Sequence, residues 1–202
     1  LFELQDDIAR TVAASVAPEL RRSEIGKTRS VKTKDMAAYE LYLKGIRLAR
    51  TEDYDQLLAA RSFLLAAIER APDFASAYVE LAWLEHDRIT YYNEYTTLEE
   101  ATEARDLALE YARRAVSSDP QLGEARSIFG HMLLHYQRID EGVKEMELSV
   151  KLNPSSARIH SQASWGQIVS GNYEAGLSSI ETATTLNPLD PQLWEYISNE
   201  AY

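Results

Sequence analysis

The chain has 202 residues, of which 45% are hydrophobic and 26% charged, a composition typical of a globular protein with a sizeable core. Its formal net charge of −11 argues against nucleic-acid binding, because neutralising phosphates requires a basic face. The chain has no cysteine, which excludes disulfides and thiolate metal sites, and no apolar run approaches the length of a membrane span. We expect a cytoplasmic location, and the same composition also suits the periplasm.

The amino-terminal residues 1–22 are predicted to form one amphipathic helix that joins an upstream domain. Its apolar stripe recurs every four residues, at Leu4, Ile8, Val12, Val16 and Leu20. Residues 23–35 carry basic, Gly, Ser and Thr side chains without periodicity, and we interpret them as a basic linker. Because the sequence begins without Met and ends inside a helical pattern, we expect it to be a segment of a larger protein.

Prolines mark a repeat in the rest of the chain. Pro120, Pro154 and Pro188 lie 34 residues apart, and Pro72 precedes Pro120 by one such period plus 14 residues. A fixed period of this size predicts stacked helical hairpins, each ended by its proline. The predicted array covers residues 36–202, with hairpins at 36–74, 75–122 including an insertion, 123–156 and 157–190, and a partial fifth at 191–202.

The insertion of the second hairpin is predicted at about residues 87–104. It contains three tyrosines, Tyr91, Tyr92 and Tyr95. Two interpretations remain open for them: a functional loop, or an extension of the first helix that shields a hairpin edge.

Small side chains recur where the two helices of each predicted hairpin cross and let the backbones approach closely. They are Ala60, Ala67, Ala108, Ala115, Gly130, Gly142, Gly176 and Ala183. Together with the prolines, this pattern resembles the tetratricopeptide repeat (TPR), although Ser149 stands where Ala is usual and Lys44 where an apolar residue is usual. The resemblance implies an all-α fold, an α-solenoid of helix-turn-helix hairpins with a right-handed superhelical twist.

A second resemblance concerns the amino-terminal part. Residues 2–9 (FELQDDIA), followed by a linker and residues 39–45 (YELYLKG), look like a junction found in certain bacterial signalling proteins. In those proteins a class III adenylate or guanylate cyclase domain, or a winged-helix regulator domain, precedes a TPR region. The resemblance implies a regulatory module of a larger bacterial signalling protein. None of the metal-binding aspartates of a cyclase can be placed here, so we predict that this segment is not an enzyme.

The TPR resemblance also implies that the first helix of each hairpin lines a concave groove that binds protein. The expected occupant is a partner peptide or helix, the chain's own amino-terminal helix, or a second copy of the chain. Trp83 and Trp165 hold matching positions, where their rings either contact a bound segment or pack against neighbouring helices. The predicted groove residues are Tyr42, Ile46, Val79, Trp83, His86, His131, Leu134, His135, Trp165 and Ile168.

Metal chemistry has one candidate pair. His131 and His135 are one helical turn apart, a spacing that lets two imidazoles bind one ion, but no third ligand is evident from spacing. We therefore predict no metal site, no cofactor and no catalytic residue. The alternative is an accessory region of a nucleotide cyclase or another enzyme, whose groove holds a small ligand or a metal at these two histidines.

Overall fold

The chain folds into helices that pack in pairs. The computed structural model describes residues 35–49, 53–90 and 97–188, and these ranges contain eight α-helices and no strand. In chain order the helices are α1 (Met36–Ala49), α2 (Tyr54–Arg70), α3 (Ala75–Thr90), α4 (Leu98–Ser118), α5 (Gly123–His135), α6 (Ile139–Leu152), α7 (Ala157–Val169) and α8 (Tyr173–Leu186).

Several predicted elements lie outside the described residues. They are the amphipathic helix at 1–22, nearly all of the linker at 23–35, the three tyrosines of the insertion, and the partial fifth hairpin at 191–202.

The eight helices form four hairpins arranged in two layers. The two helices of a hairpin share the most extensive contact, and each first helix also contacts the first helix of the next hairpin. Within the described residues, second helices of neighbouring hairpins share no comparable contact, so they lie farther apart. The array therefore curves with α1, α3, α5 and α7 on its inner side. The predicted all-α solenoid is confirmed for the hairpins.

The periodic prolines end the helices as predicted. Helices α4, α6 and α8 end at Ser118, Leu152 and Leu186, each two residues before a proline of the series. Proline disfavours helical geometry at the residue before it, so the chain leaves the helix there. This stop recurs at the same place in each hairpin and sets the spacing of the array.

Much of the insertion is helical. Helices α3 and α4 are 16 and 21 residues long, compared with 13 and 14 in each of the two following hairpins. Helix α4 begins with a reciprocal cap, in which Thr97 Oγ1 accepts from Glu100 N–H while the Glu100 carboxylate accepts from Thr97 N–H. None of the described helices combines the length and the apolar character needed to cross a bilayer.

Ser149 stands where the TPR pattern has Ala, and its hydroxyl group makes a hydrogen bond. Its buried hydroxyl donates to the carbonyl oxygen of Gly123 at 2.8 Å. That carbonyl belongs to the first turn of α5, so the bond joins the two helices of the third hairpin. The polar atom that Ser adds in place of Ala is therefore satisfied inside the core.

Candidate functional site

Three aromatic side chains from successive first helices stack on the inner side of the array. The ring of His131 on α5 lies between Trp83 of α3 and Trp165 of α7, with centroid distances of 4.9 and 4.5 Å. All three residues are partly buried. We refer to Trp83, His131 and Trp165 as the aromatic band, and it runs across three consecutive hairpins.

His86 and His135 join His131 in a compact cluster beside the band. Their three Nε2 atoms lie 3.2 Å apart for His86 and His135, 3.3 Å for His86 and His131, and 3.3 Å for His131 and His135. We call these three residues the histidine cluster. His86 is contributed by the second hairpin and the other two by the third, so the cluster bridges neighbouring repeats.

The surroundings favour neutral imidazoles at two of the three positions. The pKa of His131 is held well below its ordinary value, mainly by burial, then by the neighbouring His86, His135 and Arg158. The pKa of His135 is lowered to about 4, again mainly by burial, then by His86 and Arg105. Near pH 7 these two rings therefore offer lone pairs rather than positive charge.

Polar groups at the edge of the cluster orient His86. Its Nδ1 lies 3.2 Å from the Asp87 carboxylate, which accepts the Nδ1 proton. The Thr90 hydroxyl lies 3.4 Å from that Nε2 atom. A cavity of about 70 Å³ opens beside His86 and His135, and Arg105 and Thr90 also line it.

Arg158 is a functional candidate that the sequence patterns did not reveal. Its guanidinium lies over the ring of Trp83, 5.0 Å from the centroid, in a cation–π contact. Its Nε is buried and has no hydrogen-bond partner among the described residues. The aromatic band therefore carries a positive charge at one end.

Two predicted groove residues are part of the core instead. Val79 and Leu134 are 4% and 3% exposed. Val79 belongs to the apolar cluster between the second and third hairpins, and Leu134 packs with Met146 and Ala163. The second helix of the same hairpin and the next hairpin cover these side chains, so neither is open to the groove.

The remaining predicted residues differ in position. Tyr42 is half-buried, and its ring lies 5.0 Å from that of Phe74, while Ile46 is half-buried on the same helix. Ile168 packs onto the backbone of α8 at Gly176. The structure thus brings together five of the ten predicted groove residues, which are Trp83, His86, His131, His135 and Trp165.

The third member of the histidine cluster was detectable in principle. His86 lies 45 residues before His131, so motif spacing along one helix cannot reveal the contact. All three histidines, however, occupy positions predicted to face the groove in adjacent repeats. Their shared groove-facing positions in adjacent repeats, rather than a linear motif, are the signal that predicts the cluster.

Solved structures with the same helical arrangement are TPR proteins. The thermophilic TPR protein TTC0263 of Thermus thermophilus is 16% identical, with a TM-score of 0.66 over 98% of this chain and 95% of that chain. A mutant O-GlcNAc transferase of Thermobaculum terrenum is 21% identical, with a TM-score of 0.57 over 76% of this chain and 27% of that chain. MamA of Desulfovibrio magneticus is 15% identical, with a TM-score of 0.50 over 94% of this chain and 96% of that chain.

These similarities concern the fold. No protein-family model and no curated protein sequence matches the chain. At identities of 21% or less, the shared property is the arrangement of stacked helical hairpins.

Proposed function

We propose that this segment is a non-catalytic protein-interaction module that binds a polypeptide on the aromatic band. The observation that carries the proposal is the pair Trp83 and Trp165, which are only partly buried and lie on the same inner layer of helices, two hairpins apart. Tryptophan offers a large apolar area at low cost in side-chain entropy, and such residues dominate the binding energy of many interfaces.

The chemistry of the band defines the occupant. Rings from three helices provide an apolar surface, and Arg158 adds a positive charge with an unpaired Nε within the described part of the chain. The matching ligand is an amphipathic segment that seats apolar side chains on the indoles and turns a carboxylate toward Arg158.

The occupant that we propose is residues 1–22 of the chain itself, in the same copy or a second one. Its apolar stripe, beginning with Leu4 and Ile8, requires a surface to cover it, and Glu3, Asp6 and Asp7 supply carboxylates. The 13-residue linker that follows spans up to roughly 45 Å when extended, which is more than the length of any described helix. The two segments can therefore meet within one chain.

We further propose that the module regulates an upstream domain in a cytoplasmic bacterial signalling protein. The resemblance of residues 2–9 and 39–45 to the junction of cyclase and winged-helix regulators supports this setting. Competition between residues 1–22 and an outside protein for the aromatic band would then control the upstream domain.

The proposal is tested by measuring how a labelled peptide of residues 1–22 binds to a chain that starts at residue 23. Fluorescence anisotropy should show saturable binding, and a double Trp83→Ala, Trp165→Ala variant should weaken it at least about tenfold. Tyr173→Ala is the matched control, since Tyr173 is 66% exposed on α8 and outside the band. Circular dichroism verifies that each variant remains helical.

Each outcome has one interpretation. A peptide that fails to bind the folded chain excludes residues 1–22 as the occupant and leaves an outside protein as the ligand. Binding that is equally strong in the double tryptophan variant contradicts the aromatic band as the site.

A further inference from the structure

The histidine cluster cannot be satisfied by hydrogen bonds within itself. The Nε2 atom of a neutral imidazole is either a donor or an acceptor, and a hydrogen bond needs one of each. Among three mutually adjacent Nε2 atoms, at least one pair must therefore be alike. Two lone pairs or two N–H groups then face each other at 3.2–3.3 Å, which is repulsive.

A tetrahedral cation removes this conflict, and the distances fit one. With Zn–N bonds of about 2.0–2.1 Å, tetrahedral geometry places two ligand nitrogens about 3.3–3.4 Å apart. A square-planar or octahedral centre with equal bonds needs about 2.9 Å between adjacent nitrogens. The observed triangle has sides of 3.2, 3.3 and 3.3 Å and so matches the tetrahedral case.

The tautomers are suited to metal binding. Asp87 accepts the Nδ1 proton of His86, an arrangement that commonly orients a metal-binding imidazole from behind. Nδ1 of His131 is buried without a partner in the described part of the chain, so its Nε2 is the atom through which the ring makes polar contacts.

We propose that His86, His131 and His135 form a binding site for a divalent transition metal, with Zn²⁺ as the ion that the geometry fits. The three imidazoles supply one face of the tetrahedron, and the fourth position is left for water or an anion. Room for water exists in the adjoining cavity of about 70 Å³, which His86 and His135 both line. A site with only imidazole ligands suits zinc, copper, nickel and iron. The distances between the nitrogens favour zinc, which prefers tetrahedral geometry.

Charged groups around the site determine which ligand the fourth coordination position of the metal favours. Arg105 lines the cavity and Arg158 lies beside His131, while the Asp87 carboxylate contacts His86. Two cations near a divalent ion favour an anionic fourth ligand, such as hydroxide or a carboxylate. Because the site lies beside the aromatic band and joins α3 to α5, metal binding would also clamp the second hairpin to the third.

Isothermal titration of the purified, chelator-stripped chain with ZnCl₂ tests the site. We expect one ion per chain, and at least about tenfold weaker binding in His135→Ala and in His86→Ala. His160→Ala is the matched control, because His160 is the fourth histidine of the chain and contacts the Pro154 carbonyl oxygen at 2.9 Å instead of the cluster. Asp87→Asn should weaken binding while leaving the ligands in place.

Cobalt supplies an independent measurement, because tetrahedral Co²⁺ absorbs visible light far more strongly than octahedral Co²⁺. The unaltered chain and His160→Ala should show the strong bands, and His135→Ala should lose them while retaining its circular dichroism spectrum. If one cluster variant fails to fold, the other decides the matter.

Three results would overturn the metal site. They are the absence of stoichiometric zinc binding, equal zinc binding in the cluster variants and His160→Ala, and a weak octahedral cobalt spectrum. None of these results depends on the peptide of residues 1–22, so failure of the metal site and failure of the interaction proposal are distinguishable.

Discussion

Glu85 is a charged side chain placed entirely inside the array. Its carboxylate is 1% exposed and accepts from Arg61 Nε at 2.6 Å and from Arg88 Nη1 at 2.7 Å. Arg61 lies on α2, so the ion pair joins the first hairpin to the second. Dehydrating three charged groups is costly, and the cost is offset only while the carboxylate and both guanidinium groups remain together.

Replacing Glu85 by Ala should lower the free energy of unfolding by about 2–4 kcal/mol, because Arg61 and Arg88 then lose the buried carboxylate that they share. The expected value is below that of a fully buried pair, since the Arg61 side chain is 29% exposed and can turn to water. Urea unfolding followed by circular dichroism measures the change. Glu141→Ala removes an exposed pair with Arg138 and should leave the midpoint unchanged. Equal losses in the two variants would contradict the argument.

At the scale of the helix, the hairpins depend on close backbone crossings. A Cβ atom at Gly130 would lie 2.7 Å from the Gly142 carbonyl oxygen, and one at Gly142 would lie 2.8 Å from that of Gly130. Helices α5 and α6 therefore touch backbone to backbone at this point. Real Cβ atoms do not approach backbone oxygens this closely, so an added methyl group must push the helices apart.

Gly130→Ala should destabilise the chain by about 1–3 kcal/mol, even though Ala is the better helix former by about 1 kcal/mol. Gly166→Ala is the matched control, because its added methyl group meets Met146 Sδ at 2.5 Å, and a flexible thioether can move aside. Thermal unfolding of both variants measures the difference. A Gly130→Ala chain as stable as Gly166→Ala would show that the crossing adapts freely.

The limits of helices could be predicted because their causes are local. Proline disfavours helical geometry at the residue before it, so Pro120, Pro154 and Pro188 predict the ends of α4, α6 and α8. The small residues predict the helix crossings in the same way, since two helices that approach closely leave no room for a larger side chain. The periodic prolines and small residues therefore predict the stacked hairpins.

The candidate site could be predicted only in part, because it depends on contacts between repeats. Trp83, His131 and Trp165 follow from their matching positions, but the stacking of Arg158 on Trp83 depends on how α3 and α7 approach each other. The burial of Leu134 depends likewise on α6 and α7, which cover its side chain. The positions of residues within one repeat do not predict how neighbouring helices pack against each other.

At the scale of the whole molecule, burial is concentrated in the central first helices. More than half of the residues of α3, α5 and α7 are buried, because each is packed between its own second helix and the preceding hairpin. In α1 and α8, only two residues each are buried. In an array where each repeat contacts only its neighbours, stability is a sum of local terms, so it should vary along the chain.

Hydrogen–deuterium exchange should therefore proceed from the ends toward the centre. We expect amides of α1 and α8 to exchange first and those of α3 and α5 last, because α1 and α8 bury two residues each whereas more than half of α3 and α5 is buried. Mass spectrometry of peptic fragments measures the order, and Glu85→Ala should speed exchange in α2 and α3 more than in α7. Exchange of all eight helices at one common rate, as in a closed globule with a single core, would contradict an array of semi-independent hairpins.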